Sequence, residues 1–225
     1  LQGDWSSDVC SSDLRAAGMV PIGSASQRAT ALGLARSDEA ILRDMASQLA
    51  HGGQVLVFPE DTTHGEATVQ RIRSGPARML LQAHREAAAN GRPLPRVVPV
   101  GLHYSASSRF RERAAIVLER AMEVPLVPPA VADASEPTEA ELDWISTVTA
   151  SIEVELRRAN LAKSTWRERT LIWKGRGLVQ AEKQRQAGKD LSRSSYAEAI
   201  LGARRLRAGW EFMLREDPKI GRAHV

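Results

Sequence analysis

Cysteine is almost missing from this chain: Cys10 is the single instance in 225 residues. A disulfide framework is thereby excluded, as is a zinc site built on several thiolates. Long apolar runs are missing too. No stretch approaches the roughly 18 residues needed to cross a bilayer as a helix, which excludes a transmembrane helix from the residues at hand. There is no Gly-x-Ser-x-Gly elbow, so a serine hydrolase is poorly supported. No internal repeat is visible.

The two ends read differently from the rest. Asp8-Val9-Cys10-Ser11-Ser12-Asp13 can be encoded by GAC GTG TGC TCT TCC GAT, with Leu14 supplying a following C. Its reverse complement, entered on the last base of the Lys219 codon, translates as Ile220-Gly221-Arg222-Ala223-His224-Val225, the whole C-terminus. A complementary match of that length is not expected of two unrelated peptide ends, and it resembles translated sequencing-library adapter. Residues 1–14 and 219–225 are therefore expected to be adapter-derived. Setting them aside discounts Trp5, Cys10 and His224. A signal or anchor segment ahead of residue 15 stays open.

What is present is ordinary in bulk. Apolar residues make up 43% and charged residues 26%, values typical of a globular chain. The net charge of +4 is modest, but it is unevenly placed. From Arg157 to Asp217 there are 15 Lys/Arg against 7 Asp/Glu, a segment charge of +8. A basic, tryptophan-bearing segment of this kind suits an anionic surface, and a solvated arginine-rich helix face reads equally well. Nucleic acid is not expected, because no recognised binding motif accompanies the arginines.

Ala17 to Ile22 reads as a short strand leading into a polar loop. A helix begins at Ser37-Asp38-Glu39, where Ser37 can cap free amides and the acids suit the positive end of the dipole. Ile41, Leu42, Met45 and Leu49 recur at helical spacing until Gly52-Gly53. Val55 to Phe58 reads as a buried strand ended by Pro59. Gly75 to Asn90 is a second helix, and Val97–Tyr104 and Ala114–Leu118 are further strands. Pro125 to Pro137 reads as a linker or wrap. Helices come next at about 138–160, 165–186 and 196–216, the first with Thr138 and Glu141 in capping-box spacing. Two apolar stripes, Leu142-Ile145-Val148-Ile152-Leu156 and Tyr196-Ile200-Ala203-Leu206-Trp210, are expected to be core. Trp166, Trp173 and Trp210 suit either an interface belt or packing between these helices.

Strands alternating with helices predict an α/β fold, with a mixed, largely parallel sheet flanked by helices and a C-terminal all-helical extension. The expected division is a partial α/β domain over residues 15–130 and the helical extension over 131–218. In such sheets ligands bind beyond the C-terminal ends of strands. That directs attention to Phe58-Pro59-Glu60-Asp61-Thr62-Thr63-His64, where a carboxylate and hydroxyls come after an apolar run.

Phe58-Pro59-Glu60-Asp61-Thr62 resembles the Phe-Pro-Glu-Gly-Thr block of the glycerolipid acyltransferases. Thr63-His64-Gly65-Glu66 and Arg71-Ile72-Arg73-Ser74-Gly75-Pro76-Ala77-Arg78 are similar to the adjoining segment of the glycerol-3-phosphate or dihydroxyacetone phosphate branch. Val97-Val98-Pro99-Val100-Gly101-Leu102-His103-Tyr104 resembles the next block, Val-Pro-Val-Gly-Leu-x-Tyr. Ala17-Gly18-Met19-Val20-Pro21-Ile22 resembles an upstream block of the family, without the arginine that usually comes after it. The likeness covers roughly residues 16–127.

The resemblance implies acyl transfer from acyl-CoA or acyl-carrier protein to glycerol-3-phosphate or lysophosphatidate, with no cofactor and no metal. It implies that Phe58, Pro59, Glu60, Asp61, Thr62, Thr63, His64, Arg71 and Arg73 serve substrate binding, Glu60 beside the acceptor. The arginines are candidates for gripping its phosphate, since a guanidinium meets phosphate oxygens in pairs. Pro99 and Gly101 are expected to shape their strand. Asp61 departs from the family glycine, although Asp tolerates a left-handed turn better than most residues. Such an enzyme is expected at the cytoplasmic face of a membrane, peripheral or held by a missing segment.

The family's base is a histidine in a His-x4-Asp block. Five positions after His51, His64, His84 and His103 stand Leu56, Val69, Ala89 and Ser108. The block is absent and is expected ahead of Gly18, so this chain alone is expected to be inactive. The alternative is a non-catalytic, lipid- or membrane-binding relative.

Overall fold

The computed structural model describes residues 38–60, 65–66, 68–104, 113–129, 136–161, 165–188 and 195–217. In chain order these hold α1 (Asp38–Ala50), α2 (Gly75–Ala89), β1 (Val100–Tyr104), β2 (Ala114–Leu118), α3 (Glu139–Ala159), α4 (Trp166–Gln186) and α5 (Tyr196–Glu216). The chain folds as two compact units built from interleaved segments. One comprises residues up to Asp61, Arg73–Pro95 and Pro125–Thr149; the other comprises Thr62–Ile72, Arg96–Val124 and the residues from Ala150 onward.

The first unit is built on α1 and α2. Ala46 of α1 and Met79 and Ala83 of α2 are buried together, flanked by Leu42, Met45, Leu49, Val55 and Val57. Small residues at the contact let the helix backbones approach. Both helices end by the same device. Gly52 (φ 86°) and Gly91 (φ 61°) adopt left-handed backbone. Gly53 N–H then donates to Gln48 O at 2.8 Å and Arg92 N–H to Ala87 O at 2.8 Å, satisfying carbonyls the helix leaves open.

The first half of α3 joins this unit. Thr138 and Glu141 form the capping box: Thr138 N–H donates to Glu141 Oε2 at 2.9 Å, and Glu141 N–H donates to Thr138 Oγ1 at 3.3 Å. Glu141 also pairs with Arg85 of α2. The proline-rich 125–128 stretch is held by its carbonyls, taking Trp144 Nε1–H at 3.1 Å on Pro125 O and Arg85 Nη2 at 3.1 Å on Pro128 O.

In the second unit β1 and β2 pair antiparallel, with Leu102 opposite Ile116 and Tyr104 opposite Ala114. Their inner face meets α5, where Leu161, Ile200 and Ala203 are buried with Ala115, Val117, Ile172, Trp173 and Tyr196 around them. Gly175 of α4 and Gly202 of α5 admit close packing: a Cβ at the first would lie 3.0 Å from Leu206 Cδ2, and one at the second 3.2 Å from Arg176 Cγ. Capping boxes at Thr165/Glu168 and Ser195/Glu198 start both helices.

The expected α/β fold with a largely parallel sheet is corrected by this architecture. Among the described residues five helices dominate and the sheet has two strands, antiparallel. The reason is connection length. Only residues 105–113 separate β1 from β2, and a parallel pair needs a crossover of about a dozen residues or more. The buried strand expected at Val55–Phe58 is also corrected. The stretch is extended but joins no sheet among the described residues. It is buried on one side only: Val55 and Val57 lean on α1 and α2, while Leu56 and Phe58 are each 70% exposed.

Candidate functional site

The expected substrate-binding residues divide into those the structure describes and those it does not. Asp61, Thr62, Thr63 and His64 lie outside the described residues. Pro59 and Glu60 are half-buried, whereas Phe58, Arg71 and Arg73 are exposed. Within the first unit Arg73 N–H donates to Pro59 O at 3.1 Å. This bond sets the carboxylate-bearing stretch beside the arginine-bearing one, 14 positions further along the sequence. Ser74 then starts α2, with proline in its first turn, so Arg73 stands immediately before a rigid element. A carboxylate and a guanidinium presented on adjoining strands of chain suit a polyol phosphate, the acid accepting from hydroxyls and the cation donating to phosphate oxygens.

The second motif lies in the other unit and is buried along one face. Pro99, Gly101 and His103 are inside, and Leu102 and Tyr104 between and beyond them are exposed, as strand alternation requires. Gly101 lies against the end of α3. A Cβ there would collide with the Ala159 carbonyl oxygen and sit 2.9 Å from His103 Nε2. The gap that glycine leaves lets His103 Nε2–H donate to Ala159 O at 3.0 Å. Asn160 Oδ1 accepts from Leu102 N–H at 3.1 Å. Pro99 O takes the Glu119 N–H at 3.0 Å, prolonging the pairing past β1. These contacts anchor the motif structurally.

His103, which the sequence excludes from a His-x4-Asp pair because Ser108 stands five positions on, is a buried residue of the strand. It is 1% exposed. Burial holds its imidazole below the usual histidine range, with Arg169 and Arg204 adding to the effect against the Ala159 bond and Glu119. The neutral ring donates from Nε2, leaving Nδ1 buried without a hydrogen-bond partner among the described residues. Its only sequence signal is its place at an inward position of the strand pattern.

Near the start of α4, Trp166 Nε1–H donates to Gly65 O at 2.9 Å, with the Arg169 guanidinium 5.2 Å over the indole ring. The helix thus holds the chain immediately after the Asp61–His64 segment. Trp173 stacks on Tyr196, centroids 6.0 Å apart, so this tryptophan packs between helices. Among the described residues no cluster of His, Cys, Asp and Glu is arranged to hold a metal ion, and no helix is long and apolar enough to cross a membrane. No protein-family model matches the chain, and neither does any curated protein or solved structure.

Proposed function

We infer that this chain carries part of an acyltransferase of phospholipid biosynthesis. The reaction moves a fatty acyl group from acyl-CoA or acyl-carrier protein to a hydroxyl of glycerol-3-phosphate or lysophosphatidate, at the cytoplasmic face of a membrane. The observation that carries the reading is the ordered pair of blocks, Phe58–Thr62 and Val97–Tyr104, in one sequence. The Arg73–Pro59 bond adds support, since it sets an arginine beside the Glu60 segment.

In such a reaction the acceptor oxygen bonds to the thioester carbonyl carbon, the C–S bond breaks, and the hydroxyl proton passes to a base. Glu60 orients the acceptor's hydroxyls, and Arg73 of the same unit holds its phosphate. None of the His-x4 positions of this sequence supplies an aspartate to orient such a base.

Sequencing the gene through both ends of this chain tests the reading. A His-x4-Asp block within a few dozen residues ahead of Gly18, in a product that transfers labelled acyl groups to glycerol-3-phosphate or lysophosphatidate, is the expected result. In that product Arg73→Ala raises the acceptor KM by about tenfold with a smaller change in kcat, the loss of one charge-assisted phosphate contact. Uninterrupted coding sequence with no such block, and no transfer, defeats the enzyme reading. It would favour a non-catalytic lipid-binding relative.

A further inference from the structure

Helix α4 runs for 21 residues and buries none of them. Its inner side is accounted for by Ile172 and Trp173, which pack against Leu161, Ile200 and Ala203. Its outer side is not. At about 100° per residue, Arg167, Leu171, Lys174, Leu178 and Arg185 fall within a sector roughly 60° wide on the side away from Trp173. All five are exposed, the two leucines by 58% and 73%. Arg167 and Lys174 stand seven residues apart, as do Leu171 and Leu178, so cations and leucines alternate along one stripe. Glu182 borders it, and its carboxylate is engaged by Arg185 at 2.7 and 2.8 Å.

Single exposed leucines need no explanation, but this alternation has a chemistry. Cations alone would suit any polyanion. Leucines between them gain only where a negatively charged layer overlies an apolar one, with the arginine and lysine stems reaching up to phosphate while the leucines sink below. The surrounding segment charge of +8 draws the chain to such a layer. Nucleic acid supplies the charge but not the apolar stratum.

We propose that the outer stripe of α4 docks this chain on the headgroup surface of an anionic bilayer, with Arg167 and Lys174 on lipid phosphates and Leu171 and Leu178 in the acyl boundary. The inference rests on exposure, charge and helical spacing, and stands independently of the acyl-transfer reading.

Co-sedimentation of the whole chain with vesicles tests it. Phosphatidylcholine vesicles containing about 30% phosphatidylglycerol are expected to bind the chain at least tenfold more tightly than pure phosphatidylcholine, and less tightly as salt rises. Arg167→Ala with Lys174→Ala is expected to weaken binding about 25-fold, close to fivefold per cation. Lys174→Arg retains binding. Leu171→Ser with Leu178→Ser weakens it at least tenfold while the helical circular dichroism is unchanged. No sedimentation with anionic vesicles overturns the proposal, as does equal binding to neutral ones. So does parental binding by both double variants, which would place the contact elsewhere. Equally tight binding to single-stranded polynucleotide, indifferent to the leucine substitutions, would reassign the stripe to polyanions.

Discussion

Gly101 has no room for a side chain. Gly101→Ala pushes a methyl into the Ala159 carbonyl and against His103 Nε2, and backbone on one side cannot yield cheaply. The expected loss is about 1–3 kcal/mol of unfolding free energy, read from the urea midpoint; an unchanged midpoint would show that the β1–α3 junction yields more easily than close packing allows. His103 makes stability depend on pH. An unfolded imidazole titrates near 6.5, and burial holds the folded one lower. Between those values the unfolded chain binds a proton that the folded chain does not, so stability rises with pH through this window. Its contribution is complete above 6.5 and is lost as pH falls toward the folded value. Urea midpoints taken at about pH 5.5 and 7.5 should differ in that direction, and His103→Gln should reduce the difference; an equal slope in the variant would clear His103 of the effect. Little of this is legible in the sequence. The Val-Pro-Val-Gly block identifies Gly101 as a shaping residue, but His103 becomes notable only because the end of α3 lands on it, from 56 residues away.

Helix ends are the most legible elements. Gly52-Gly53 and Asn90-Gly91 stop α1 and α2 because left-handed backbone is cheap at glycine. The start of α3 is set by Thr138 and Glu141, whose mutual bonds hold that carboxyl below the usual range, helped by Arg85. Its inward face is only partly legible. Ile145, Val148 and Ile152 are buried, but Leu142 is 49% exposed and Trp144 takes the inside position. The Pro125 carbonyl and the ring of His84 favour an indole there, with His84 and Trp144 meeting edge-on at 6.5 Å. On the hairpin, the face carrying Leu102, Tyr104, Ile116 and Leu118 is open to solvent, Ile116 by 69%. Ile116→Thr should therefore change stability by less than about 0.5 kcal/mol, read from the thermal midpoint. A collapse of thermal stability on that substitution would mean that the face is covered in solution.

The two units are each assembled from separated stretches, and no cut at one point in the chain releases either. The core around Ile200 and Ala203 draws Ala115 and Val117 from β2, and Arg204 of α5 pairs with Glu119 at the end of that strand. A peptide spanning only residues 131–218 lacks these partners. It is expected to show much weaker helical circular dichroism and a broad, non-cooperative melt, since helices of about 20 residues draw most of their stability from packing. A sharp melt at the full chain's temperature would instead establish the C-terminal helices as self-sufficient.

By itself the sequence determined the local events: where helices start and stop, which stretches are extended, and how unevenly the cations are placed. These depend on neighbours within a turn or two, through caps, glycine conformation and apolar spacing. It also carried the motif likeness behind the proposed acyl transfer, which depends on residue order alone. Only tertiary structure decided that the sheet is an antiparallel pair, that Val55–Phe58 lies on a helix pair with one side in water, and that α3 covers His103. Each of these is set by which distant segment arrives to bury a given face, and a pattern of apolar residues states that a face will be buried without stating by what.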